Sequence, residues 1–205
     1  MLLLVGTLCN AVLIAFSHEC GIAPAIYKDF DFLDVSNGPS GRILNGQRVA
    51  ENALPFVASL GFKIGPKTDL GCTASIIAPQ YVLTAAHCFF QTKLSLKMFL
   101  KVTSIHYGSK YFRKSKSVRI VEIFHTSDST PESYEDILVV KLAEPIEFDY
   151  KTVAPVCLSF GAKPDTFGNV LVAGFGNHSF TEQKFGKPDE YLVEVLPVKK
   201  GRYCK

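Results

Sequence analysis

The side chains best suited to chemistry fall in two runs, Gly71-Cys72-Thr73-Ala74-Ser75-Ile76-Ile77 and Tyr81-Val82-Leu83-Thr84-Ala85-Ala86-His87-Cys88. An imidazole titrates near neutral pH, so His87 can take a proton from a hydroxyl and later return it to a leaving amine. The small Ala85 and Ala86 leave room around it. Such a base needs an acceptor behind it to fix its tautomer and stabilise the imidazolium. Taken alone, a histidine beside a cysteine reads as structural or surface. Metal binding is the rival use of these residue types, but the sequence has neither a paired C-x-x-C nor an H-E-x-x-H. No metal and no cofactor is expected.

The elements that must position these residues read as strands. From Ile43 onward, short β-type runs alternate with turn residues: Phe56-Val57-Ala58-Ser59-Leu60, Ser75-Ile76-Ile77, Tyr81-Val82-Leu83-Thr84, Val118-Arg119-Ile120-Val121-Glu122-Ile123, Ile137-Leu138-Val139-Val140-Lys141-Leu142, Val170-Leu171-Val172-Ala173 and Tyr191-Leu192-Val193-Glu194-Val195. Regularly spaced short strands point to an antiparallel barrel or sandwich. No long amphipathic helix, internal repeat or low-complexity tract interrupts them. A chain of 205 residues that is 47% hydrophobic can bury a real core. The formal charge of +3, from 22 basic and 19 acidic residues, gives little reason to expect nucleic acid or an anionic membrane as partner.

The first residues, Met1-Leu2-Leu3-Leu4-Val5-Gly6 and onward, are apolar and close with Ala15-Phe16-Ser17, a pattern that fits a secretory signal peptide over 1–17. The stretch is marginally short for a membrane span, and polar His18-Glu19 follows at once. Removing it takes Cys9 and leaves Cys20, Cys72, Cys88, Cys157 and Cys204, an odd number in an oxidising compartment. Residues 18–42 then carry Asp29, Asp31 and Asp34 and end in Ser36-Asn37-Gly38-Pro39-Ser40-Gly41, which is loop chemistry.

Together, the 71–77 and 81–88 runs closely resemble the trypsin-like serine protease family. The resemblance implies an all-β, double Greek-key antiparallel barrel fold, with the first barrel complete and the second partial. It implies that His87 is the general base and that Cys72 pairs with Cys88. Glu135-Asp136-Ile137-Leu138-Val139-Val140-Lys141-Leu142 looks like the family's aspartate motif and makes Asp136 the acid that orients His87. Without His87 upstream, Asp136 would simply be an acid opening a strand. Glu135 is expected to point elsewhere by alternation. Gly41-Arg42-Ile43-Leu44-Asn45-Gly46 is similar to the family's activation site, so cleavage after Arg42 by a trypsin-like activator would free the Ile43 amine. Residues 18–42 are then a propeptide and 43–205 a peptidase domain, with Cys20 and Cys157 resembling the pair that keeps a propeptide tethered. Val172-Ala173-Gly174-Phe175-Gly176 looks like the Gly-Trp-Gly turn with Phe175 in place of tryptophan. Leu196-Pro197-Val198 leads to Cys204, whose family partner lies further along, so Cys204 is expected to be unpaired.

The family's nucleophile sits in a Gly-Asp-Ser-Gly-Gly-Pro turn, where backbone amides form an oxyanion hole. This sequence has no such turn. Ser159 and Ser179 follow Asp136 without the glycine setting, and Ser40 lies before the activation cut. The expectation is a secreted zymogen of a serine endopeptidase whose domain is incomplete at its C-terminal side and inactive as it stands. The alternative is an inactive secreted homologue that acts as a binding or regulatory module. Implied partners are a protein or peptide substrate, the activating protease and protease inhibitors, with no nucleic acid and no membrane. Among lesser features, Asn177-His178-Ser179 is a glycosylation sequon. Arg113-Lys114-Ser115-Lys116 with Arg119 forms a basic cluster read as a solvated loop. His106, His125 and His178 show no ligand spacing with one another. Residues 99–116, which correspond to a calcium loop in some relatives, lack carboxylates.

Overall fold

The computed structural model describes residues 20–21, 47–48, 50–126, 135–158, 169–175 and 192–197. The apolar stretch 1–17, Arg42 and Ile43, Ser159, Asn177, Ser179 and Cys204 lie outside the described residues.

Six strands carry most of the fold: β2 (Val57–Ile64), β3 (Lys67–Ala78), β4 (Tyr81–Thr84), β5 (Thr103–Tyr107), β6 (Lys116–Phe124) and β7 (Leu138–Leu142). Each pairs antiparallel with its neighbours, and they close into a barrel in the order β2-β3-β4-β7-β6-β5. Two meanders, β2-β3-β4 and β5-β6-β7, are joined by a crossover that contains two short helices, α1 (His87–Phe90) and α2 (Leu96–Val102). The Ser95 hydroxyl caps α2 by accepting the Met98 amide at 3.4 Å, which satisfies one donor that the first turn would leave open. Alternation explains why these segments are strands. In β7, Leu138, Val140 and Leu142 face inward and are fully buried while Val139 and Lys141 are only half-buried. The β2–β3 turn uses Gly65 at φ 62°, a conformation that glycine adopts without strain.

Phe99 of α2 fills the barrel interior. It meets Phe62 edge-on at 6.0 Å and Phe89 at 4.8 Å, among Leu60, Ile76, Val82, Ile105 and Leu138. Gly71 makes room for this arrangement, because a Cβ there would lie 2.2 Å from the Phe62 ring.

Three further strands, β1 (Gln47–Arg48), β8 (Asn169–Gly174) and β9 (Leu192–Pro197), form an antiparallel sheet in the order β1-β9-β8. A second, smaller cluster containing Leu54, Val57, Phe112 and Phe175 joins this sheet to the barrel's outer face. The chain just before Cys157 runs across the barrel as well, with the Ala154 amide donating to Pro55 O at 3.2 Å and the Val156 amide to Ile76 O at 2.9 Å. The fold is therefore all-β, with one closed barrel and a partial second sheet, as the resemblance implies. Strand β5 was not foreseen: only Thr103 and Ile105 of Thr-Ser-Ile-His-Tyr are buried, and the run has no apolar stretch to announce it. The helices are as short as the absence of amphipathic periodicity suggests.

Candidate active site

The barrel's strand register brings the two candidate catalytic residues together. Strand β4 pairs antiparallel with β7, with Thr84 opposite Leu138. Residues that follow Thr84 therefore run beside those that precede Leu138, and His87 comes to face Asp136. Two contacts pin the end of β4 where it releases His87. The Thr84 hydroxyl donates to Thr73 O at 2.9 Å, and Ala86 is fully buried, so the turn into α1 has no slack.

Asp136 holds His87 twice. Its Oδ2 lies 2.6 Å from His87 Nδ1, and its Oδ1 accepts the His87 backbone amide at 2.8 Å. The hydrogen bond to the imidazole pulls the Asp136 carboxyl below the usual carboxylate range; slight burial opposes this, and the amides of His87 and Ala86 reinforce it. The aspartate is thus ionised at neutral pH and accepts Nδ1–H, which leaves Nε2 as the nitrogen that exchanges protons with a bound molecule. Both side chains remain open to solvent, at 39% and 36% exposure, so a substrate can reach the pair. The neighbouring Glu135 carboxylate turns away and accepts the Thr126 hydroxyl at 2.5 Å.

Cys72 and Cys88 are joined by a disulfide with Cα atoms 6.3 Å apart, which closes β3 onto the helix that carries His87. Their sulfurs and a ring nitrogen of His87 cluster within 4.8 Å. Such a trio suits a metal only when the cysteines are thiolates, and here both are spent in the cystine. Cys20 and Cys157 are also joined, with Cα atoms 4.9 Å apart, and the Gly21 amide donates to Pro155 O at 2.8 Å.

The residue taken for a tryptophan replacement, Phe175, is buried in the second cluster, and its amide donates to the Thr73 hydroxyl at 2.9 Å. Thr73 therefore connects the strand behind His87 with the sheet beyond it. Sequence reasoning passed over Thr73 and Thr84, whose only signal is a small polar residue inside an otherwise apolar strand. His106 bonds Ser104 at 3.0 Å and packs on Phe112. His125 lies edge-on to Phe90 at 5.2 Å, with Nδ1 2.8 Å from Thr126 O.

Comparison with known proteins gives the family and agrees with the fold. The family model "Trypsin" matches residues 43–204, and the chain belongs to the trypsin family of serine proteases. It is 28% identical over 167 residues to a trypsin of Simulium vittatum, covering 80% of this chain and 64% of that protein. It is 33% identical over 139 residues to human transmembrane protease serine 11B, covering 66% of this chain and 30% of that protein. In three dimensions it is similar to neuropsin, a serine protease expressed in the limbic system of mouse brain, with a TM-score of 0.59 at 22% identity over 75% of this chain and 63% of that one. The chain thus spans less than two thirds of the length of these relatives. Among the described residues, no helix is long and apolar enough to cross a membrane.

Proposed function

We propose that this chain is the leading part of a secreted serine endopeptidase, made as a zymogen, in which His87 is the general base and Asp136 its orienting acid. The observation that carries this reading is the double grip of Asp136 on His87, at 2.6 Å to the ring and 2.8 Å to the backbone amide, at a solvent-open edge of the barrel. In the proposed reaction a seryl hydroxyl attacks the scissile carbonyl of a protein or peptide. Nε2 of His87 takes the hydroxyl proton as the C–O bond forms and returns it to the leaving amine as the C–N bond breaks. Water then releases the acyl group by the same path. Asp136 remains ionised throughout and stabilises the imidazolium.

The hydroxyl is taken to come from a serine outside this sequence, because neither Ser159 nor Ser179 has a glycine setting that would frame an oxyanion hole. Activation is assigned to cleavage between Arg42 and Ile43. That bond lies inside the 137-residue separation spanned by the Cys20–Cys157 disulfide, so the released propeptide would stay attached. The alternative reading is an inactive secreted homologue that binds partners through loops of the first barrel.

Sequencing the full transcript separates the two, since a frame that continues into a serine turn supports the enzyme and a stop after Lys205 supports the module. In the continued product, after tryptic cleavage at Arg42, Asp136→Asn is expected to lower kcat/KM by a factor on the order of 10⁴, the loss known for this triad elsewhere in the family. Undiminished activity in that variant would sink the assignment. The 205-residue chain itself is expected to take up no active-site serine phosphonate after the same treatment.

A further inference from the structure

We propose that His106 is a pH-sensitive latch at the junction between the barrel and the outer sheet: as a neutral ring it holds Phe112 in the cluster on which the sheet rests, and on taking a proton it leaves that place and loosens the sheet. The strand register lays a polar row under this junction. Ser59 of β2 stands opposite Thr73 of β3 on one side and opposite His106 of β5 on the other, and His106 stands opposite Ser117 of β6. Residues directly opposite one another share a face of the sheet. That face is the outer one, because Ala58 and Leu60 on either side of Ser59 lie in the barrel core, as does Ile105 beside His106. Ser59 is nonetheless fully buried, and among the described residues its hydroxyl has no hydrogen-bond partner.

The two ends of the row meet the two aromatic rings of the junction. At one end the Thr73 hydroxyl accepts the Phe175 amide at 2.9 Å. At the other the His106 ring lies 4.4 Å from that of Phe112, tilted by 39°, and Phe112 and Phe175 belong to one cluster. The imidazole fits there because β2 has a glycine beneath it: a Cβ on Gly61 would lie 2.7 Å from Nε2 and 2.8 Å from Cδ2. Nε2 lies 3.0 Å from the Ser104 hydroxyl, a contact that a neutral imidazole and a hydroxyl satisfy in either tautomer.

The elements packed around this ring carry charges, but none of them holds a proton on it. Strand β2 brings Lys63, β3 brings Lys67 and Asp69, the 3-10 turn Phe112–Lys114 brings Arg113 and Lys114, and β6 brings Lys116, Arg119 and Glu122. Glu144 and Glu147 act on Tyr107, the next residue of β5. Burial is the sole cause acting on the His106 imidazole, and it lowers the pKa. Because the folded value lies below the ordinary one, near 6.5, an open form with a hydrated ring takes the proton first as pH falls. Acid therefore favours opening, increasingly from about pH 6.5 down to the lower folded value and no further below it. Opening also lets water reach the Ser59 hydroxyl, so one movement satisfies both the imidazolium and a buried group that the closed form leaves unpaired. The His87–Asp136 pair lies within the barrel and takes no part, so failure of the latch would leave the proposed enzymatic function untouched.

The test uses the full 205-residue chain, with amide exchange read by NMR and corrected for the intrinsic effect of pH. Between about pH 7.5 and about pH 5.5, protection of the Phe175 amide is expected to fall by a factor of about three or more while that of Leu138 holds. His106→Gln, neutral throughout this range, should lose the difference. Gly61→Ala, whose methyl takes the ring's place, should show the low protection already near neutrality. Titration of the wild-type imidazole signals should put His106 below the ordinary histidine range, and this measurement decides the matter if either variant fails to fold. Four results would overturn the proposal: Phe175 protection that ignores pH, an acid loss that survives in His106→Gln, an equal loss at Leu138, or a His106 that titrates at or above the ordinary range.

Discussion

The closed barrel and the three-stranded sheet are both antiparallel, yet they hold themselves together differently. In the barrel every strand has a partner on both sides, and its core side chains, Phe99, Leu60, Val82 and Val140 among them, are fully buried. Among the described residues the sheet ends in β1, two residues long, on one side and in β8 on the other, and Val172 of β8 is 39% exposed. Within the same described residues, the sheet meets the barrel through the Phe175 cluster and through the Phe175 amide on Thr73. Closure makes a barrel self-sufficient, whereas an open sheet relies on its neighbour and leaves edges that invite pairing with other chains. The His87–Asp136 pair draws both members from the self-sufficient part, which is why it is assembled irrespective of the sheet.

If that contrast is right, Leu60→Ala, which empties a fully buried site in the barrel, costs about 2–5 kcal/mol, whereas Val172→Ala in the sheet changes stability by no more than about 0.5 kcal/mol. Urea denaturation of the two variants measures the difference, and equal losses would erase the distinction. Replacing Cys72 and Cys88 together by serine opens a 16-residue separation within the barrel. The expected cost is about 3 kcal/mol on the loop-entropy view, read as a lowered denaturation midpoint. Thr73→Val keeps the side-chain shape but removes the acceptor of the Phe175 amide, for about 1–3 kcal/mol. Hydrogen exchange should speed up at Phe175 and hardly at all at Leu138, because the loss falls on the junction.

The smallest expected effect concerns pH. The folded Asp136 carboxyl titrates below its unfolded value, so its bonds contribute stability above the unfolded pKa, near 3.9. That contribution fades as pH falls through the lower folded-state value. The stability gap between the wild type and Asp136→Asn should therefore shrink as pH falls below about pH 4, measured by denaturant titration at stepped pH. A gap that stayed undiminished in strong acid would contradict the assigned hydrogen bonds.

Much of the barrel was legible in advance, because short β-type runs such as Tyr81-Val82-Leu83-Thr84 and Leu138-Val139-Val140, set between turn residues, are a local signal. Strand β5 was not, since its inward residues Thr103 and Ile105 are too few to mark a strand and its place is set by pairing with β2 and β6. The site split in the same way. His87 carries its chemistry in its own side chain, and the runs around it pointed to the family. The grip of Asp136 on a backbone amide is a tertiary fact, as is Thr73 bonding at once to Thr84 and to Phe175. No local pattern encodes either, because each depends on strands brought together from far apart in the chain.

A carboxylate that contacts both the main-chain nitrogen and the ring nitrogen of one residue works as a two-point clamp. The atoms between those nitrogens are Cα, Cβ and Cγ, so fixing both ends leaves the two side-chain torsions almost no freedom to drift. The imidazole of His87 is thereby aimed before anything binds, and the entropy of aiming it is already spent when the barrel folds.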